Sequence, residues 1–325
     1  MADVVTLGEL LIDFVPTVSN VSLIDAPAFK KAPGGAPANV AAGLAKLGIS
    51  CAFLGKVGDD PFGHFLEKTL SDLGVDTRGL VFSNQARTAL AFVSLRGDGE
   101  REFMFYRHPS ADMLYTPEEV NFQLIKNAKI FHLGSISLIC DPSRSATLAA
   151  LKAARENDVL VSYDPNLRLA LWPDANAAQD GMLSIWKEAD LIKVSEEELH
   201  FLTGLDDIED AVDVLWHDNL RLLVVTLGKA GCRYFTHEFK GAVKGISAKA
   251  IDTTGAGDGF VAGLLKGIND HPEALKNESM LRDVCLYANA VGALTTTQLG
   301  AIPALPTAQE LDDFLKSQEI ELILK

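Results

Sequence analysis

The chain has 325 residues, 48% of them hydrophobic and 22% charged, a composition typical of a folded protein with a sizeable core. Its formal net charge of −15 argues against nucleic acid or an anionic membrane as a partner. The four cysteines show no C-x-x-C spacing and indicate reduced core residues in a cytoplasmic protein. Neither a targeting signal nor a membrane-spanning stretch is visible.

Strand-like segments rich in β-branched residues alternate with helical patterns along the chain. This alternation predicts an α/β fold, in which a mainly parallel sheet is covered by helices on both faces. We interpret residues 1–325 as one domain, because no linker, repeat or low-complexity tract is visible. The predicted strands are Val4 to Leu7, Cys51 to Val57, Lys129 to Leu133, Val159 to Tyr163, Asp190 to Val194 and Leu222 to Leu227.

A glycine-rich segment near the start of the chain, residues 33–39, runs directly into an apolar helical pattern. Pro37 suits the first turn of a helix. Gly34 and Gly35 leave room for a ligand against the main chain, and Asn39 carries an amide that both donates and accepts hydrogen bonds. The segment predicts a binding loop at a helix start, with tight helix packing as the alternative.

Two further helices have clear start signals. Asp60 and Pro61 open one that Gly74 closes, and the run Asp141-Pro142-Ser143 opens another. Near the end of the chain, the run Thr307 to Glu310 has the form of a capping box.

Two stretches interrupt the strand and helix alternation. Both Thr88 to Leu95 and Glu102 to Arg107 are strand-like, and the intervening Arg96-Gly97-Asp98-Gly99-Glu100 predicts a hairpin. Together with Leu10 to Val15 and part of Ser22 to Lys31, they predict a small antiparallel sheet apart from the main one. Alternatively, the hairpin has only a structural role or forms the edge of a dimer. This alternative is compatible with a separate small sheet.

A capping box is also present at residues 195–198, where Ser195 and Glu198 have the spacing Ser-x-x-Glu. Such a pair satisfies two free N–H groups at a helix start without any ligand. Further on, Thr226, Gly228 and Gly231 follow a predicted strand and indicate a flexible turn.

The most informative segment is D-T-T-G-A-G-D, residues 252–258, which precedes an apolar helical face. Free N–H groups at a helix start, together with the helix dipole, favour an anion such as a phosphoryl group in transfer. Gly255, Ala256 and Gly257 let the backbone approach it. A carboxylate at Asp258 would repel a phosphate, unless it accepts a proton from an attacking hydroxyl. The alternative is a glycine-rich turn with Asp258 as the helix cap.

These motifs together resemble the two signatures of the PfkB, or ribokinase-like, carbohydrate kinases. The likeness rests on G-G-A-P-A-N-V-A near the start and D-T-T-G-A-G-D-G-F near the end, and it covers the whole chain. The opening run G-E-L-L-I-D-F and the segment K-V-S-E-E-E are similar to plant-type fructokinases. Neither a P-loop motif nor G-x-G-x-x-G after the first strand is present, which removes the usual support for P-loop and dinucleotide-binding enzymes.

The resemblance implies a ribokinase-like fold whose small sheet, from about residues 10–32 and 86–110, is a lid over a sugar. A lid excludes water and suppresses hydrolysis of ATP. In this family the lid also serves as a dimer surface, so a homodimer is an expectation. The implied partners are a sugar and ATP.

The resemblance also implies roles for individual residues. Asp258 is the expected base, with Gly255, Ala256 and Gly257 as the anion hole. Substrate contacts are expected from Asp13, Gly34, Gly35, Asn39, Arg107 and Arg168. Nucleotide contacts are expected from Thr226, Gly228, Gly231, Gly257, Asn289 and Gly300. Glu198 would hold Mg²⁺ through water, and a monovalent cation, expected to be K⁺, would lie near Asp252 and Thr254.

Several of these residues have a simpler explanation. Asp13 could be a turn residue at a strand end, and Arg107 or Arg168 could form a surface ion pair. The family usually has asparagine where this chain has Ser195, so we assign that residue no phosphate contact.

The sequence therefore predicts an ATP-dependent kinase that makes fructose 6-phosphate. Kinases of 2-keto-3-deoxygluconate, ribose or nucleosides remain alternatives, as does a binding protein that keeps the fold without catalysis.

Overall fold

The computed structural model describes residues 1–18, 21–95 and 101–322. The predicted hairpin turn at residues 96–100 lies outside the described residues. Strands are found at β1 Val4–Leu7, β2 Leu11–Pro16, β3 Phe29–Gly34, β4 Cys51–Gly58, β5 Asp76–Ser83, β6 Leu90–Leu95, β7 Arg101–Tyr106, β8 Ile130–Leu133, β9 Leu160–Tyr163, β10 Leu191–Ser195, β11 Leu222–Thr226, β12 Gly231–Phe235 and β13 Lys240–Lys244.

The main sheet has nine strands in the order β13-β12-β11-β10-β9-β8-β1-β4-β5. Neighbouring strands are parallel from β11 to β5, whereas β12 and β13 continue the sheet antiparallel. The six strands predicted from the sequence are confirmed to within one residue at each end. Sequence patterns missed β5, β12 and β13, the strands at the two edges of this sheet.

The helices are α1 Ala36–Lys46, α2 Pro61–Asp72, α3 Phe122–Lys126, α4 Ser143–Arg155, α5 Ala175–Leu183, α6 Glu196–Thr203, α7 Ile208–Leu215, α8 Ala256–Asp270, α9 Glu278–Thr295 and α10 Ala308–Ser317. The predicted capping box at Thr307 is confirmed, and the carboxylate of Asp60 caps α2 through the N–H groups of Phe62 and Gly63. No helix of the described residues is long and apolar enough to cross a membrane.

Helices cover both faces of the main sheet, as predicted. Alternate residues of β1 point to opposite faces, so Val4 packs into a core with α1, α8 and α9, and Val5 packs into a second core with α4 and α5. Both valines are fully buried. The fold class predicted from the sequence, α/β and ribokinase-like with a large mainly parallel sheet, is confirmed.

The small sheet has the strand order β3-β2-β6-β7. The pairs β2/β3 and β6/β7 are antiparallel, and the two central strands, β2 and β6, run parallel to each other. Phe14 of this sheet packs edge-on against Phe62 of α2, and Lys31 places its ammonium 3.8 Å from the ring centre of Phe65. The small sheet is therefore anchored to α2.

Helices α1 and α8 pack unusually close together. A Cβ atom on Gly43 of α1 would lie 2.7 Å from the Cβ of Ala262 on α8, so only glycine fits this contact. The close approach brings the N-terminal turns of the two helices to one place beside the carboxyl ends of the parallel strands, where ligands bind in open α/β sheets.

Candidate active site

The N-terminal turn of α8 is shaped by Gly255. Its φ of 77° is left-handed, and a Cβ there would lie 2.7 Å from the Cβ of Ala301, so the position needs glycine for two reasons. The N–H of Ala256 donates to the carbonyl of Thr253 at 3.3 Å, which partly engages one predicted anion donor. Within the described residues, no hydrogen bond engages the N–H groups of Gly255 and Gly257.

Asp258 is not the helix cap, because Gly255 occupies the cap position and Asp258 lies inside the first turn. Its carboxylate accepts hydrogen bonds from the amide of Asn39 at 2.8 Å and of Asn166 at 3.2 Å. Burial raises the pKa of Asp258, while the Asn39 bond and the charges of Arg168 and Lys193 oppose the rise. The two hydrogen bonds thus fix the position of the Asp258 carboxylate, and burial increases its affinity for a proton.

The loop before α1 is equally constrained. A Cβ on Gly34 would lie 2.1 Å from the carboxylate of Asp13, and one on Gly35 would lie 2.3 Å from the carbonyl oxygen of Glu9. Both glycines therefore make room for neighbouring polar groups. The amide oxygen of Asn39 is buried and has no hydrogen-bond partner among the described residues, so it is available to a ligand.

These segments enclose what we call the inner pocket, which lies between the small sheet and the helix starts. Its walls combine apolar and polar groups. They include Glu9, Leu11, Asp13, Gly35, Ala36, Asn39, Val93, Phe105, Ile136, Asn166, Arg168, Thr254, Gly255 and Asp258. Four predicted substrate contacts, Asp13, Gly35, Asn39 and Arg168, lie here with Asp258.

Asp13 projects from β2 into the inner pocket and is not a turn residue. Burial raises its pKa to about 7, Asp258 and Asp252 act in the same direction, and Arg168 opposes them. Arg168 donates to the carbonyl of Leu167 at 3.0 Å and forms no ion pair within the described residues. Its guanidinium is thus the positive group of this end of the pocket.

Two predicted substrate contacts, Gly34 and Arg107, do not line the inner pocket. Gly34 makes room for the carboxylate of Asp13, whereas Arg107 is bound to another side chain. It is 4% exposed, and its guanidinium binds the carboxylate of Asp112 through both Nε and Nη2. It does not line the inner pocket, although the sequence predicted it there. Sequence alone could not reveal this partner, because Asp112 lies in a short turn beyond the predicted hairpin.

A second and larger opening, which we call the open cavity, has a volume of about 510 Å³. This volume is typical of small-molecule sites. Its walls include Thr226, Gly228, Gly231, Ile246, Gly257, Phe260 and Asn289. Every predicted nucleotide contact except Gly300 therefore lies here. The N–H of Gly300 donates instead to the carboxylate of Asp252 at 2.9 Å.

The loop at residues 252–254 is tied together by Asp252. One carboxylate oxygen accepts the N–H and hydroxyl of Thr254 at 2.9 and 2.7 Å, and the other accepts from Gly300. The side chain thus links this loop to the loop that follows α9. No group of three or more His, Cys, Asp or Glu side chains in the described part of the chain is arranged to hold a metal ion.

Glu198 forms the predicted capping box with Ser195 at the start of α6. One carboxylate oxygen accepts the N–H of Ser195 at 2.8 Å, and the other accepts the N–H of Leu167 at 2.7 Å. The carboxylate is therefore fixed in place, beside a buried ion pair that sequence analysis missed.

That ion pair joins Lys193 and Asp164, whose charged atoms are 3.1 Å apart. Burial alone would lower the pKa of Lys193, but the carboxylates of Asp164 and Glu198 reverse this and raise it. Burial raises the pKa of Asp164 to about 7. The lysine Nζ lies 3.3 Å from the place of a Cβ on Gly257. The sequence did carry a signal for this ion pair, because Lys193 is a charged residue inside the otherwise apolar strand β10.

With this geometry established, comparison with known proteins identifies the chain. The architecture is that of a ribokinase-like α/β protein with two neighbouring pockets. The family model of the pfkB family carbohydrate kinases matches residues 1–308. The chain belongs to the pfkB family of carbohydrate kinases, and the resemblance inferred from its motifs is confirmed.

Individual relatives cover almost the entire chain. A probable fructokinase-4 of Arabidopsis thaliana is 59% identical over 314 residues, covering 96% of each protein. The fructokinase of Xylella fastidiosa with bound ATP has a TM-score of 0.88 and 33% identity, covering 98% of this chain and all of that one. A fructokinase double mutant of Vibrio cholerae O395 with bound fructose, ADP and potassium ion has a TM-score of 0.86 and 38% identity. The match covers 97% of this chain and 98% of that one.

Proposed function

We propose that the chain phosphorylates D-fructose at the 6-hydroxyl, using ATP and releasing fructose 6-phosphate and ADP. The observation that best supports this is the position of the α8 start: Asp258 lines the inner pocket, and the adjacent Gly257 lines the open cavity. A sugar in the first and a nucleotide in the second would meet at that turn. The fructose and ADP bound by the Vibrio cholerae relative support this assignment of the two pockets.

Asp258 is the proposed base that removes the proton from the sugar hydroxyl as it attacks the γ-phosphate. The bonds from Asn39 and Asn166 fix its carboxylate, leaving the remaining lone pairs for the hydroxyl. Its raised pKa suits a base, because proton transfer is most effective when the pKa lies closer to the working pH.

The N–H groups of Gly255, Ala256 and Gly257 are the proposed anion hole for charge that develops on the transferred phosphoryl group. Because Ala256 already has a weak bond to Thr253, Gly255 and Gly257 would be the stronger donors. The buried ammonium of Lys193 lies beside Gly257 and would add positive charge toward the phosphates.

The sugar would be held by Asp13, Asn39 and Arg168. The unpartnered amide oxygen of Asn39 can accept a sugar hydroxyl, Asp13 can accept another, and Arg168 can donate. Gly34, which the sequence predicted as a substrate contact, would act indirectly, because it makes room for the Asp13 carboxylate. Arg107 takes no direct part in this proposal.

Mg²⁺ and K⁺ both fit groups present in this chain. The buried Oδ1 of Asp164 has no partner among the described residues, and Glu198 lies near it, so oxygen ligands suited to Mg²⁺ are available directly or through water. When bound, Mg²⁺ neutralises charge on the β- and γ-phosphates. Backbone carbonyls near Asp252 and Thr254 would hold the monovalent cation, as the potassium ion of the Vibrio cholerae relative suggests.

Two broader features complete the proposal. The small sheet would act as a lid, and its exposed Tyr106 would form part of a homodimer surface. Four free cysteines fit a reducing compartment, which supports a cytoplasmic location.

The deciding experiment measures ADP release with D-fructose, D-ribose, adenosine and 2-keto-3-deoxygluconate at fixed ATP. We expect fructose to give the highest kcat/KM and Asp258→Asn to abolish most of it. A preference for another sugar would replace fructose within the same family, and no ADP release with any of them would favour a binding protein.

A further inference from the structure

The loop that follows β9, residues 164–168, supplies two side chains to the inner pocket, and we call it the Asn166 loop. These side chains are Asn166 and Arg168. The amide of Asn166 donates to the carboxylate of Asp258 at 3.2 Å. The φ of Asn166 is 49°, a left-handed conformation that is uncommon outside glycine and persists only where the surroundings hold it. Neighbouring segments must therefore hold this loop in shape.

The first hold comes from one neighbour of β9 in the main sheet, where β9 lies between β8 and β10. Ser135, just after β8, donates its N–H at 3.2 Å and its hydroxyl at 2.6 Å to the carbonyl of Pro165. Ser135 is fully buried. The peptide bond that precedes Asn166 is thus fixed by two donors from one residue.

The second hold comes from the other neighbour. Glu198 lies in the first turn of α6, just after β10, and its Oε1 accepts the N–H of Leu167 at 2.7 Å. Its Oε2 accepts the N–H of Ser195 at 2.8 Å, so the carboxylate is anchored to its own helix start. The carbonyl of Leu167 in turn accepts from the guanidinium of Arg168 at 3.0 Å. Glu198 is thereby linked to Arg168 through one residue of the loop.

We propose that Glu198 and Ser135 are positioning residues of the sugar site, which hold the Asn166 loop in its binding shape without help from a metal ion or nucleotide. Their bonds fix both peptide bonds that flank Asn166, so its amide reaches Asp258 and the Arg168 guanidinium stays at the pocket. The proposal rests on the sugar kinase function proposed above. It gives Glu198 a task on the sugar side, separate from its proposed contact with Mg²⁺.

The test measures binding of D-fructose to the full chain by calorimetry, without nucleotide and with EDTA present. In Glu198→Ala we expect the Kd to rise by about tenfold or more, the equivalent of one lost hydrogen bond to a charged group. Ser135→Ala keeps the backbone donor, so a rise of about threefold is expected. Because fructose is neutral and no metal is present, neither a lost charge nor a lost metal contact would account for weaker binding.

Ser195→Ala is the matched control. The hydroxyl of Ser195 accepts the N–H of Glu198 at 3.1 Å and caps the same helix, but it does not contact the Asn166 loop. Its loss should lower the melting temperature and leave the Kd for fructose unchanged, because Glu198 still accepts the N–H of Leu167.

Steady-state kinetics provide a second arm. If Glu198 acted through Mg²⁺ alone, a saturating Mg²⁺ concentration would return the KM for fructose in Glu198→Ala to the wild-type value. We expect this KM to stay raised, because the Asn166 loop remains unanchored.

Three results would overturn the proposal. They are an unchanged Kd for fructose in folded Glu198→Ala, an equal rise in Ser195→Ala, and wild-type chain that binds fructose only when nucleotide or metal is present. If thermal melting shows that Glu198→Ala does not fold, the Kd of Ser135→Ala decides in the same way. ADP release by the wild-type chain with fructose reports separately on the proposed function, which would stand in each of these cases.

Discussion

The side-chain amide of Asn39 donates to the carboxylate of Asp258 at 2.8 Å, across a sequence separation of 219 residues. This bond joins the first turn of α1 to the first turn of α8. It fixes the carboxylate in the inner pocket, one residue after Gly257, which lines the open cavity. Several of the substitutions below therefore act through this carboxylate.

Replacing Asp258 with asparagine should remove the base and keep the shape. We expect kcat with fructose to fall by about 10²- to 10⁴-fold, the usual contribution of a general base, with ATP and fructose still bound. Steady-state kinetics and calorimetry measure the two effects. Retention of a substantial fraction of wild-type kcat would contradict the assignment.

Replacing Asn39 with alanine should change the pH dependence. The Asn39 bond lowers the pKa of Asp258, so its loss raises that pKa. Because the base must be unprotonated, the acidic limb of kcat/KM should move to higher pH. Asn127→Ala is the control, since that amide bonds a carbonyl of its own helix at the surface. An unmoved acidic limb in Asn39→Ala would argue against Asp258 as the titrating base.

Replacing Asp13 with asparagine should stabilise the chain and weaken fructose binding. The folded-state pKa of Asp13 is about 7, above its ordinary value of 3.8, so the native state binds more protons between these values. The contribution of Asp13 to stability therefore falls as pH rises through this window. The melting temperature of Asp13→Asn relative to the wild type should rise from pH 5 to pH 8. An identical difference at both pH values would show that the carboxyl is not perturbed.

Replacing Gly255 with alanine should damage both stability and turnover. The new alanine would have to keep a left-handed φ, and its Cβ would lie 2.7 Å from the Cβ of Ala301. Gly74→Ala is a matched control, because its φ of 88° is similarly left-handed but its Cβ would meet nothing within 4 Å. We expect about 1 kcal/mol of lost stability at Gly74, with normal kcat, and a larger loss with reduced kcat at Gly255. Equal losses at both positions would exclude the steric argument.

Lys46, at the end of α1, is expected to hold the loop that supports Gly255. Its ammonium donates to the carbonyls of Ile302, Pro303 and Leu305, just after Ala301. Lys46→Met should cost about 1–3 kcal/mol in the free energy of unfolding, because buried acceptors lose their donor. Lys68→Met, which breaks an exposed pair with Asp72, should cost less than about 1 kcal/mol. Chemical denaturation compares them.

The sequence predicted the features that depend on local patterns. Strand β1 and the helix starts at Pro61 and Ala256 follow from β-branched runs, a proline and glycines, each of which acts within a few residues. Edge strand β5 was missed, because its first half, D-T-R-G, is polar and only the short run Leu80-Val81-Phe82 is apolar. Strands β12 and β13 were missed because they extend the sheet antiparallel, outside the expected strand and helix alternation.

The site was predictable where a motif and its function coincide, as at Asp258 and Asn39. The ion-pair partners of charged residues, which depend on the tertiary fold, were not predictable. Lys193 binds Asp164 because strands β9 and β10, which are separate in sequence, end side by side at the carboxyl edge of the main sheet. Arg107 binds Asp112, five residues further on, because the chain after β7 turns back toward it. The untested roles of the predicted site residues stay predictions until the experiments above are done.

The 219-residue span between Asn39 and Asp258 has a consequence for the chain during its synthesis. The first half of the inner pocket leaves the ribosome long before α8 exists, and Glu9, Asp13 and Asn39 then lack the helix that packs against α1. Contacts that close such long loops form late. A nascent or truncated chain that stops before α8 cannot assemble the pocket, so neither ligand can assist folding until translation is nearly complete.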